Sequence, residues 1–118
     1  MLLGLSKGAK VEQRVLGTGE SLRAPHLLDL EVTQVIRRHL KANFLTPARA
    51  QMAFDDFQAL KLKRYPHDVL LRRIWSLRDN FTAYDAAYLA LAEEIGAPLV
   101  TCDAKMTASG HGATVELL

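Results

Sequence analysis

With one cysteine, Cys102, in 118 residues, the chain cannot form an internal disulfide, so its stability must come from burial rather than cross-links. His26, His39, His67 and His111 show no metal-site spacing with each other or with that cysteine, which excludes a zinc module. No apolar run approaches the roughly 20 residues of a membrane span. The apolar start in MLLGLSKGAK also lacks the basic beginning and small-residue cleavage site of a secretory signal. Ser6, Ser21, Ser76 and Ser109 lie outside any G-x-S-x-G turn, and Gly4, Gly8, Gly17 and Gly19 make no phosphate-binding fingerprint. Repeats and low-complexity tracts are missing too. What is there is ordinary for one domain over 1–118: 49% hydrophobic and 24% charged residues, with a mean hydropathy of +0.02. A formal net charge of +2 permits an RNA partner without requiring one, and a cytoplasmic setting is expected.

Residues 1–20 read as a short helical segment, with Val11, Val15 and Leu16 at helical spacing and Leu2, Leu3 and Leu5 on its apolar face. Leu22–Pro25 predicts a short strand. Leu28, Val32, Val35, Ile36 and His39 recur at spacings of three and four, an amphipathic helix over 26–42. Thr46 followed by Pro47 caps a second helix through about residue 59, with Met52 and Phe57 among its apolar positions. Residues 60–65 alternate leucine and lysine, which predicts an edge strand with Lys61 and Lys63 towards solvent.

Asp68 is expected to cap a helix over 68–78 that carries Val69, Leu70, Leu71, Ile74 and Trp75. Thr82 and Asp85 form a variant capping box for a helix ending at Gly96. The nearly all-apolar run 98–102 predicts a buried parallel strand stopped by Asp103, and 113–118 a last strand. Alternating strands and helices indicate an α/β domain, a parallel sheet with helices on both faces and ligand sites at the strands' carboxyl ends. Phe44, Phe54, Phe57, Trp75 and Tyr88 read as core rather than as base-stacking platforms.

Three carboxylates stand where a core would not want them. Glu31 lies one turn after Leu27 and one before Val35, beside an apolar stripe; alone it is explained by pairing with an arginine. Asp85 precedes Leu89 by one turn on an inward stripe; alone it is explained by the helix dipole. Asp103 ends LVTCD, and alone it is a turn residue. As a set at one end of a parallel sheet, they point to a shared hard cation. Magnesium suits that arrangement because it takes oxygen ligands and keeps its waters, and manganese is the alternative. Such a site activates water against a phosphodiester, which is nuclease chemistry. The basic sets Arg37/Arg38/Lys41, Lys61/Lys63/Arg64 and Arg72/Arg73 read as solvated faces, and Arg78, just before DNFTAYD, is the favoured RNA contact.

The blocks RAPHLLDLEVTQVIRR, FTAYDAAYLALAEEIGAPLVTCDAKM and HGATVEL resemble those of VapC-type PIN-domain ribonuclease toxins, in order and over essentially the whole chain. That resemblance implies a magnesium-dependent endoribonuclease, a homodimer, and a cognate VapB-type antitoxin that holds the enzyme inactive. It carries Glu31, Asp85 and Asp103 over as three of the family's four acids, serving as catalytic and metal-binding residues, and Thr101 as the polar residue of the last motif. The remaining acid normally ends an apolar first strand at the centre of the sheet, and neither a strand nor an aspartate precedes Leu2.

The domain is therefore expected to be truncated at its N-terminus, either because the natural start lies upstream or because the chain is a shortened relative. In the second case it would be a catalytically impaired remnant that binds the antitoxin or dimerises. The sheet should then show a gap at its centre, or be rescued by the 1–5 segment without a carboxylate.

Overall fold

In a computed structural model, which describes the backbone of Leu2–Leu3 and residues 21–118, every strand runs parallel to its neighbours. The described strands are β1 (Leu2–Leu3), β2 (Leu22–Pro25), β3 (Leu62–Tyr65), β4 (Leu99–Thr101) and β5 (Val115–Leu117), in spatial order β3-β2-β1-β4-β5. After β3 the chain returns across β1 to lay down β4 on its other side. The order thus reverses between β1 and β4, and crevices at the carboxyl ends of such a switch point are where α/β sheets bind ligands.

The central place, expected either to be a gap or to be filled by the 1–5 segment, is held by β1. Leu2 pairs with Arg23 of β2 and with Leu99 of β4, and Leu3 pairs with Val100. Without it, backbone groups on β2 and β4 would face each other unpaired, at about 1–3 kcal/mol for each buried one. Leu2 and Leu3 are therefore strand, which corrects both the missing strand and the helical reading at those two positions. The helical reading of Val11, Val15 and Leu16 lies outside the described residues.

The four described helices are α1 (Leu27–Lys41), α2 (Pro47–Ala59), α3 (Leu71–Ser76) and α4 (Ala83–Ile95). Local chemistry sets their ends. The Thr46 hydroxyl accepts the Arg49 N–H at 3.2 Å, with Pro47 at the first helical position of α2. The Thr82 hydroxyl accepts the Asp85 N–H at 3.1 Å, and α4 ends at Gly96 in the left-handed conformation, φ +64°. The helix expected over 68–78 is divided instead into a single 3-10 turn, Asp68–Leu70, and the six-residue α3, with no capping bond from a side chain at the start of either. The Leu77 N–H is shared between the carbonyls of Arg73 and Ile74, each at 3.2 Å, and the Ser76 hydroxyl bonds back to Arg73, so the last turn tightens and stops.

The core is built on α4. Ala86, Ala87, Tyr88, Leu89, Ala90, Leu91 and Ala92 are all buried, so the helix is enclosed all round and packs on β2 and β4. Its alanines let the backbone come close to the sheet, and Leu89 and Leu91 belong to one buried cluster with Leu99 and Val100. Leu70, Ile74, Leu77, Phe81 and Met106 close the same cluster. By contrast α1 buries only Leu28, and α2 only Ala50. Two of the aromatics expected in the core are therefore at the surface, Phe44 at 77% exposure and Trp75 at 67%, whereas Tyr88 is buried. Among the described residues no helix is long and apolar enough to cross a membrane.

Candidate active site

The parallel sheet sends both of its relevant loops to one edge. β2 ends at Pro25 and leads directly into α1, whose second turn carries Glu31; β4 ends at Thr101, and Asp103 follows two residues later. Thr101 is buried, and its hydroxyl accepts the Asp103 N–H at 3.0 Å, which fixes the turn. Asp103 Oδ1 accepts the Lys105 N–H at 3.0 Å, the ordinary work of an aspartate after a strand. Its Oδ2 remains, 3.6 Å from Lys105 Nζ.

The same ammonium lies 4.0 Å from Asp85 Oδ2, so one positive charge faces a carboxylate from α4 and another from the β4 loop. Lys105 is well exposed, and a surface ion pair of this length contributes little to stability. The contact marks instead a position where two carboxylate oxygens converge on a cation. Asp85 also lies in the first turn of α4, where a carboxylate complements the helix dipole.

Glu31 joins from α1. The buried Tyr88 hydroxyl, one turn along α4 from Asp85, donates a hydrogen bond to Glu31 Oε1. Burial pushes the Glu31 carboxyl above the usual carboxylate range, the Tyr88 bond opposes that, and the nearby charge of Asp85 adds to it. Burial first, and then the bond to Glu31, hold the Tyr88 phenol protonated far above its ordinary value, so its hydroxyl is a permanent donor at working pH. The neighbouring acid Asp29 is engaged separately: Arg64 Nε reaches both its oxygens, at 2.8 and 2.7 Å, and ties α1 to the edge strand β3. Glu93 is further structural acid, clasped by Arg73 at 2.8 and 2.9 Å and by the Gly112 N–H at 2.7 Å.

Thus the three acids are linked in sequence, Glu31 to Asp85 by their charges and Asp85 to Asp103 through Lys105. Among the described residues no group of three or more His, Cys, Asp or Glu side chains is close enough to hold a metal ion by itself. The donor set present, the carboxylates of Asp85 and Asp103 with Lys105 between them and Glu31 near Asp85, is all hard oxygen, the ligand type magnesium takes, commonly through one or two direct carboxylates. Arg78 is placed differently. Its guanidinium stacks on the exposed Trp75 ring, 4.4 Å from the centroid, in an apolar groove of 390 Å³ lined also by Leu71, Ile74 and Ala83.

No protein-family model matches the chain. Curated proteins do. Ribonuclease VapC12 of Mycobacterium tuberculosis is 34% identical over 119 residues, covering 100% of this chain and 91% of that protein. VapC ribonuclease Mb0985 of Mycobacterium bovis is 38% identical over 100 residues, 85% of this chain and 79% of the relative. Ribonuclease VapC1 of M. tuberculosis is 41% identical over 87 residues, 73% and 65% of the two chains. The chain belongs to the VapC ribonuclease family.

Seen as a VapC chain, the molecule also shows two residues near the acids that periodicity passed over. Tyr88 looks like core from its helical spacing, and the only hint of more is that it lies three positions after Asp85, on the same face. Lys105 lies two residues after Asp103, a spacing that lets a turn aspartate take its backbone N–H and brings its side chain back over the site.

Proposed function

We propose that the protein is a magnesium-dependent endoribonuclease toxin that hydrolyses RNA phosphodiesters and is paired with a VapB-type antitoxin. The observation that carries this reading is the convergence of the Asp85 and Asp103 carboxylates on the Lys105 ammonium at the carboxyl edge of the sheet, with Glu31 held near Asp85. Nuclease activity follows from family membership; the metal, the residues and the pairing are the finer reading. When bound, magnesium would supply a Lewis acid for water and phosphate and offset the charge that builds on the phosphoryl oxygens.

Asp85 and Asp103 would hold the ion, with manganese able to replace it. Glu31 bears a carboxyl raised by burial, which suits it to take a proton from the attacking water. The water oxygen bonds to phosphorus, one bridging P–O bond breaks, and the leaving oxygen takes up a proton. Lys105, exposed and mobile by its side-chain chemistry, would exchange its carboxylate contacts for a substrate phosphate. Arg78 beside the Trp75 groove would extend phosphate contacts along the strand.

Exposed apolar side chains support partners. Leu30, Phe44 and Met52 lie on the α1–α2 side, and Val69, Leu71, Trp75 and Tyr84 around α3 and the start of α4. A homodimer and an antitoxin are the two occupants we assign to these surfaces, and the activity belongs in the cytoplasm with its RNA substrate. The purified chain should cut structured RNA with magnesium and not with EDTA. Equal, negligible cleavage in both would favour the non-catalytic binding role. A monomer at all concentrations on sizing columns, unchanged by co-expressed antitoxin, would remove the partners.

A further inference from the structure

We propose that Tyr88 is a positioning residue of the active site, whose buried hydroxyl holds the Glu31 carboxylate in place beside Asp85. This rests on the reading of Glu31 as part of a divalent-cation site. Stability alone does not account for the pair. A tyrosine as deeply buried as Tyr88 could be phenylalanine at no loss of packing, and the bond it makes goes to an acid that is itself costly to bury. Replacing both partners with apolar groups of similar shape is often neutral or stabilising, so retaining a hydroxyl and a carboxylate together calls for a use beyond stability.

The geometry supplies that use. Glu31 sits on α1, which has a single buried residue, and a half-buried glutamate on such a helix would sample several rotamers. Tyr88 sits on α4, where seven consecutive buried residues leave its ring no room to move. Its hydroxyl therefore transmits the rigidity of the core across to the looser helix. Because Tyr88 is one turn from Asp85, the same helix sets the spacing of both acids. With Oε1 occupied by the hydroxyl, Oε2 is the oxygen left for a cation-bound water.

The test titrates Mn2+ against wild-type protein, Tyr88→Phe, Glu31→Gln and the double variant, with melting temperature, kcat and KM for RNA measured alongside. Tyr88→Phe should keep its melting temperature to within a few degrees and keep KM. It should weaken Mn2+ binding and lower kcat, each by about 10-fold, the usual cost of losing a group that orients a metal ligand. Adding it to Glu31→Gln should change nothing further, because glutamine no longer offers the carboxylate that the Tyr88 hydroxyl positions. Wild-type Mn2+ affinity in Tyr88→Phe, or losses that multiply in the double variant, would overturn the proposal. Should Tyr88→Phe not fold, Glu31→Asp withdraws the carboxylate from the hydroxyl at constant charge, and unchanged Mn2+ affinity there would overturn it equally. Wild-type protein that binds Mn2+ but cuts no RNA ends the nuclease reading and leaves the titrations to decide on Tyr88; wild-type protein that binds no Mn2+ ends both.

Discussion

Helices α2 and α4 are both 13 residues long, yet α4 buries seven consecutive side chains and α2 buries only Ala50. The difference follows from position in the sheet. α4 packs on β2 and β4, around the central strand, where both the helix and the strands are apolar; α1 and α2 chiefly face each other, and α1 also touches β2. The dense half is therefore the scaffold on which Asp85 and Tyr88 are held, with Asp103 at the end of its buried strand. The sparse half contributes Glu31 and leaves Leu30, Phe44 and Met52 uncovered. Rigid elements place chemistry more reproducibly than loosely packed ones, and here the loosely packed acid is the one tied back to the core by a hydrogen bond.

The largest effect should come from the acid on the dense half. Asp85→Asn keeps shape and the Thr82 cap to its backbone but removes the charge facing Lys105. Metal-dependent cleavage should fall by about 10²-fold or more, with melting temperature nearly unchanged; cleavage that survives would detach the site from α4. Next come the packing contrasts. Leu89→Ala should cost about 2–5 kcal/mol in denaturant unfolding, against about 0.5 kcal/mol or less for Met52→Ala. Similar costs for the two would erase the distinction between the halves.

A smaller effect tests how the C-terminal loop is fastened to α4. The Arg73 guanidinium, chiefly by hydrogen bonding, and the Gly112 N–H hold the Glu93 carboxyl below the usual carboxylate range against some burial. A carboxyl depressed in the folded state adds stability above its unfolded value of 4.5, and that stability is lost as pH falls through the lower folded value. Glu93→Gln should therefore melt lower than wild type at pH 7, and the two should converge as pH falls below 4.5 and through the lower folded value. A difference that persists at low pH would place the effect in packing instead.

Smallest of all is Trp75→Ala, which should change monomer stability by about 0.5 kcal/mol or less because the ring is mostly exposed. As Trp75 is the chain's one tryptophan, its emission reports directly on that surface. A blue shift on raising protein concentration, or on adding antitoxin, would show which partner covers it.

Much of the local structure was legible in residues alone because it is set within one turn of chain. The Thr46-Pro47 and Thr82–Asp85 starts, the Gly96 stop and the run that became β4 depend on neighbours three or four positions away at most. Glu31, Asp85 and Asp103 were legible as candidates because carboxylates on apolar stripes or strand ends conflict with burial. Amphipathic spacing failed for Phe44 and Trp75, since it marks a face as apolar without saying whether anything packs on it.

The sequence by itself determined where α2 and α4 begin, where α4 ends and which acids are out of place, since all of these are short-range properties of the chain. Only the tertiary structure decided that Leu2–Leu3 takes the central place between β2 and β4, because it pairs Leu2 with both Arg23 and the far more distant Leu99, and two leucines carry no strand signal of their own. The same holds for Tyr88 and Glu31, 57 positions apart: a side chain's hydrogen-bond partner depends on which elements meet in space, and no periodicity along the chain encodes that.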